Sequence, residues 1–136
     1  MESKRIKRHI DRLLLDPNNY RFIDKNDYKF VDEEQLTDTR IQQRTQSFIS
    51  GKANENIIDL INSFKTNGFL DIDQIQVKSV GDNYIVLEGN RRISTLKYLY
   101  SQFKEGFDVG VLKEEDFKSV PVVEVLGEDP VHHLIT

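Results

Sequence analysis

Apolar residues recur along this chain with two different spacings. Between residues 55 and 67, Ile57, Ile58, Ile61 and Phe64 fall on one helical face, and Leu60 widens it. Asn54 ahead of that run and Gly68 behind it fit an N-cap and a stop, which predicts a helix over 55–67. A second stripe after Asn90, formed by Ile93, Leu96, Leu99, Tyr100 and Phe103, predicts another helix. A sparser one, marked by Ile41, Phe48 and Ile49 and closed by Gly51, predicts a helix from about Thr37 to Ser50. Elsewhere the spacing is two. Ile75 and Val77 alternate with polar residues, and Tyr84, Val86 and Glu88 lie opposite Ile85 and Leu87. Joined around "VGDN", these two stretches predict a β-hairpin. "VPVVEVL" predicts a last strand, and "KRIKRHIDRLLL" a strand followed by a turn.

The links between these elements carry their own signals. "DPNNYRF" reads as a turn, because Asp-Pro and Asn-Asn both favour one. The polar stretch from about Asp24 to Ala53, with a loop through "DKNDYKFVDEEQ", is too poor in large apolar residues to build core. It predicts a peripheral excursion. "EGFDVGVLKEEDF" predicts an acidic connection, with "KEEDFK" as an exposed loop. Asp129-Pro130 opens a further helix, with proline at its first position. The chain stops inside that helix, at Thr136, which suggests one domain, 1–136, cut from a longer protein. The expected fold class is α/β (α+β): a small mixed β-sheet with helices packed on it.

Composition agrees with this picture. Hydrophobic residues make up 38% of the 136 residues and charged ones 31%, which suits a globular domain and argues against disorder. No apolar run approaches a membrane span, so no membrane partner is expected. The basic start is followed by no long apolar segment, so no secretory leader is expected in it. There is no cysteine, which removes disulfides, thiolate metal sites and cysteine nucleophiles, and the expected location is cytoplasmic. The net charge of −4 conceals a gradient. Residues 1–12 hold five bases and two acids, whereas residues 105–130 hold eight acids and two bases. His132 and His133 are neighbours that cannot share a helix face, and no metal site is expected.

One stretch departs from ordinary helix chemistry. In "VLEGNRRISTLKYL" a strand ends at Glu88-Gly89 and two arginines follow at the helix start. Peptide dipoles leave the first turn of a helix partly positive, so arginine there is unfavourable unless an anion faces it. Gly89 permits a sharp turn and close backbone approach. The N–H groups of Asn90 to Ile93 offer an anion site, and Arg91 and Arg92 add charge-assisted donors. Ser94 and Thr95 fall in the first turn as hydroxyl donors. Glu88 is the candidate metal ligand, base or water-orienting group. The alternative is a surface turn whose arginines pair with the acidic segment at 114–116.

The motif and its surroundings resemble the N-terminal domain of the ParB/sulfiredoxin-like superfamily. The family's Asn-Pro-x-x-x-Arg type turn resembles "LLLDPNNYRF", with Arg21 at the arginine position. Its helix, Gly-hydrophobic step and strand resemble "DLINSFKTNGFLDIDQIQV". Its Gly-x-Arg-Arg turn resembles "YIVLEGNRRISTLKYL", and its final strand "VPVVEVL". The resemblance runs from about Arg5 to Leu134, with residues 23–53 standing as an insertion. It implies a nucleotide-binding regulatory domain of a DNA-associated cytoplasmic protein that would associate with the nucleoid, would take CTP or ATP with Mg2+ and would act as a slow hydrolytic switch. Gly89, Arg91 and Arg92 would contact phosphate, and Arg21 would lie near the nucleotide. DNA would be bound by regions outside this chain, and homodimerisation would be weak or ligand-dependent. The family's second phosphate motif, an Glu-Asn pair in the helix after the last strand, has no counterpart in "DPVHHLIT". Sulfiredoxin chemistry is excluded, since Asn90 stands at the cysteine position. Two other classes stay open: a ParB-like nuclease or phosphotransferase, and a protein or DNA interaction module without nucleotide.

Overall fold

The structure is a computed structural model that describes residues 2–19, 31–69 and 74–126. Arg21, His132, His133 and the helix expected after Asp129 lie outside the described residues. The fold class is as the sequence implies, a mixed α+β domain. Five strands, β1 (Glu2–Arg8), β2 (Leu13–Leu14), β3 (Gln76–Val80), β4 (Asn83–Glu88) and β5 (Val120–Leu126), form one sheet in the order β1-β5-β3-β4-β2. The helices are α1 (Thr39–Ser50), α2 (Ile58–Asn67), α3 (Asn90–Lys104) and α4 (Glu114–Lys118). β3 and β4 make the expected antiparallel hairpin, whereas β2 joins β4 and β5 joins β3 in parallel.

The period-two pattern sorts the two faces of the sheet. Val77, Tyr84, Val86, Val120 and Val122 point to one side and share the main core with Ile61 and Phe64 of α2 and Ile93, Leu96 and Leu99 of α3. Ile85 and Leu87 point to the other side, into a smaller cluster with Leu14, Val31, Leu36 and Ile41. The segment expected to be too polar for core therefore contributes one. Val31 and Leu36 are only 4% and 6% exposed. A few isolated apolar residues suffice there, because β4 has already laid down a hydrophobic floor.

Two local expectations are corrected. The helix foreseen over 55–67 starts three residues later. Ala53 and Asn54 take left-handed backbone conformations, so Asn54 ends a short 3-10 turn instead of capping α2. The "KEEDFK" stretch is not a loop. It forms α4, which Asp116 caps by accepting from the Lys113 N–H at 2.8 Å, and it drives the fully buried Phe117 onto Tyr100 and Phe103.

The sheet is strongly curled. Strands lie about 4.8 Å apart, so a flat five-stranded sheet would separate its edges by roughly 19 Å. Only residues 9–12 connect β1 at one edge to β2 at the other, and Ile10–Arg12 among them form a compact 3-10 turn. Such a link covers that distance only if the edges bend towards each other. Tyr84 marks the meeting point. Arg8 donates to its hydroxyl at 2.9 Å, and the guanidinium carbons of Arg8 and Arg12 lie 5.2 and 5.6 Å from its ring centre.

Candidate anion site at the β4–α3 turn

The sheet delivers β4 directly into α3 through Gly89. Its φ of 102° is left-handed, which favours glycine. A Cβ at this position would also lie 2.9 Å from Ile75 Cγ1 and 3.2 Å from Cγ2. The glycine thus lets Ile75, 1% exposed, pack against the turn, a reason additional to the sharp turn and the close ligand approach that the sequence had pointed to. The first turn of α3 contains no acidic residue. That turn carries Arg91 and Arg92 at a partly positive helix end with no acid of its own to offset them.

Asn90 is a bracket. It is 8% exposed, and both ends of its amide are used: Oδ1 accepts from the Asp16 N–H and Nδ2 donates to the Val86 carbonyl, each at 2.9 Å. This joins the Asp-Pro turn to the end of β4. The turn is itself well tied. Asp16 Oδ1 accepts from the Asn18 N–H at 2.9 Å, and the Asn18 amide makes a reciprocal pair with the backbone of Val31. Burial pushes the Asp16 carboxyl above its usual range, partly offset by the Asn18 hydrogen bond. The two stretches that carry the sequence motif, 70 and more residues apart in the chain, are thus in direct contact.

The remaining expected residues divide. Arg91 extends over the start of α2, where its Nε donates to the Asn56 carbonyl at 2.8 Å and its Nη2 pairs with Asp59. That hydrogen bond holds the Asp59 carboxyl below its ordinary range. The arginine does not pair with the acids at 114–116. The Arg92 guanidinium carbon lies 5.7 Å from the Phe64 ring centre and 5.9 Å from that of Phe69, stacking distances for a cation on aromatic faces. Ser94 and Thr95 are fully buried, and their hydroxyls turn away from the helix mouth. Ser94 Oγ meets Ser50 Oγ of α1 at 3.2 Å, and Thr95 donates back to the Arg91 carbonyl at 2.8 Å. α3 begins at Asn90, so the two are its fifth and sixth residues and lie beyond the first turn where the sequence placed them, and α1 packs against Ser94 there. Glu88 is exposed at the strand end, opposite Gln76.

Asp16, Asn56 and Asp59 were missed as parts of the site. Asp16 had a signal, since Asp-Pro marks a turn, but its contact with Asn90 depends on the parallel β2–β4 pairing. Asp59 lies 32 residues from Arg91 and had no local signal. Among the described residues no group of three His, Asp or Glu side chains is placed to hold a metal ion, and no helix is long and apolar enough to cross a membrane. No protein-family model matches the chain, and no curated protein sequence matches it either.

Proposed function

We propose that the β4–α3 turn binds the phosphates of a nucleotide, in a regulatory domain of the ParB/sulfiredoxin-like type that belongs to a DNA-associated protein. One observation carries this reading. A left-handed glycine opens a 15-residue helix whose first turn holds two arginines and no acid, with the Asp-Pro turn fastened beside it by Asn90. Backbone N–H groups at such a helix end are anion donors, and guanidinium groups add bidentate ones. Arg91 is already engaged with Asp59, but that pair is exposed, 40% and 65% for the two side chains. Exposed pairs contribute about 0.2–1 kcal/mol, so a phosphate competes for the arginine at small cost.

On this reading the ligand is a triphosphate with Mg2+ supplied on the phosphates, and Glu88, exposed at the end of β4 just before the turn, is the candidate carboxylate. CTP and ATP are the candidates, and slow hydrolysis would make the domain a switch. Titration calorimetry with CTP, ATP, GTP and sulfate, each with and without Mg2+, tests this. Arg91→Ala and Arg92→Ala are expected to weaken anion binding about ten- to a hundredfold, since a hydrogen bond to a charged group is worth roughly 1.5–3 kcal/mol. Absence of anion binding by the wild type would overturn the reading. The engagement of Arg91 by Asp59 and Asn56 favours a second one, an interaction module without nucleotide. Under it the arginine is a fastener between α2 and α3, and the titrations are flat.

A further inference from the structure

The edge formed by β1 is chemically unlike the rest of the sheet. Glu2 to Arg5 and Lys7 are exposed, and Ile6 and Arg8 half-buried. Among the described residues the strand has a neighbour on one side only, β5. The register shows which peptide groups face outward. The Val123 N–H donates to the Ile75 carbonyl at 2.7 Å, so the peptide groups of Pro121, Val123 and Val125 face β3. Those of Val120, Val122, Glu124 and Leu126 then face β1, where they meet Arg8, Ile6, Lys4 and Glu2. By the same alternation, Ser3, Arg5 and Lys7 turn their N–H and C=O groups away from the sheet. The Lys7 carbonyl agrees, because it accepts from the Arg8 guanidinium at 2.8 Å on the exposed side. Pro121 stands opposite Lys7, at a position where β1 needs no N–H.

We propose that this edge is a docking strand for an extended acidic segment of a partner protein, which adds to the sheet through main-chain hydrogen bonds and sets its carboxylates against Arg5 and Lys7. Those two side chains lie on the same face as Pro121 and Val123, around a depression of about 260 Å³ lined by Arg5, Ile6, Lys7, Pro121, Val122 and Val123. A peptide matches the alternating donors and acceptors of the edge, whereas a DNA backbone offers acceptors alone and leaves the carbonyls unmet. A second copy of β1 would bring Lys4, Arg5, Lys7 and Arg8 against their own kind, and like charges directly opposite are repelled. In a chain of net charge −4, four bases in five consecutive positions select an acidic strand.

The test uses fluorescence anisotropy with labelled probes and the full chain. The first probe is a peptide of about nine residues alternating glutamate and valine, about the length of a strand. Its comparators are the lysine–valine peptide, the glutamate–valine peptide N-methylated at alternate amides, and an oligothymidine of about the same length. The acidic peptide is expected to bind at least about tenfold tighter than each of the three. A double variant, Arg5→Glu with Lys7→Glu, checked by its melting curve, should lose about tenfold or more. N-methylation tests the main-chain pairing on the wild-type protein and so does not depend on the variant folding. Binding unaffected by N-methylation, tighter binding of the oligonucleotide, or no binding of the acidic peptide would each overturn the proposal.

Discussion

Helix α3 is held on two sides by different chemistry. Towards the sheet and α2 it presents Ile93, Leu96 and Leu99, all fully buried among Val77, Val86, Ile61 and Phe64. Towards α1 it presents Ser94. There the contacts are polar: Gln46 Nε2 donates to the Ser94 carbonyl at 2.9 Å, the Ser50 and Ser94 hydroxyls meet, and Thr45 is 1% exposed. A neighbouring side chain on α1, Gln42, bonds the Leu15 N–H, the Leu15 carbonyl and the Leu36 carbonyl, each at 2.9 Å. The apolar side gains from removing surface from water, which is non-directional and tolerant. The polar side gains little per bond but loses much when one partner is removed, so it fixes where α1 must sit more than how tightly.

The sharpest way to break this contrast is to truncate both sides. Leu96→Ala should cost about 2–5 kcal/mol, as large-to-small changes in closed cores do, and urea unfolding followed by circular dichroism would measure it. Gln42→Ala, which loosens α1 from Leu15 and Leu36 and leaves its bonds to Ser94 in place, should cost less, about 1–3 kcal/mol, through buried peptide groups left unmet. It should also raise amide exchange in residues 36–50 while leaving β3 and β4 protected. Equal protection throughout would mean that the polar side is not a separate fastening.

A third contact of α3 is sensitive to pH. Lys97 donates to the Ile10 carbonyl at 3.1 Å, and burial pushes its pKa down to about 8 from 10.5, with Asp11 opposing the shift. Between these values the unfolded chain binds the extra proton, so stability should rise as pH climbs from 8 to 10.5 and gain nothing from Lys97 below 8. The melting temperature is expected to increase by a few degrees relative to Lys97→Met, whose profile should lack that component. The smallest effect is at Asp59. Asp59→Asn should change stability by less than about 1 kcal/mol, because the pair with Arg91 is exposed. If the turn binds phosphate, the same change should strengthen sulfate binding a few-fold by releasing Arg91, read by calorimetry.

These contrasts explain what the sequence could and could not show. The stripe of α3 and the two faces of β4 were legible, because a large side chain every third or fourth residue, or every second, has little meaning except burial. Gly89 was legible as the residue of a sharp turn, but its contact with Ile75 was not, since Ile75 reaches it only through the β3–β4 pairing. Ser94 and Thr95 misled for the opposite cause. Small polar residues near a helix start look like ligand groups, and it is the position of α1 for Ser94 and the bond back to the Arg91 carbonyl for Thr95 that occupy their hydroxyls. Phe117 was a lone aromatic in an acidic run, a pattern too short for any periodicity to register. Arg91 announced a need for negative charge, and the sequence offered acids at 114–116; the three-dimensional path of α2 supplied Asp59 instead.

The strand order has a consequence in time. β1 is the first element of the described chain and pairs with the last, Glu2 against Leu126 and Arg8 against Val120. While the polypeptide is being synthesised, β1 has no sheet partner until β5 has emerged. Pairings this distant in sequence carry a large loop-closure penalty and slow the final step of folding. The hairpin of β3 and β4 with α3 needs only neighbours and can assemble earlier. The domain is thus expected to close from its middle outward, with the edge strand arriving last and, by the same reasoning, leaving first.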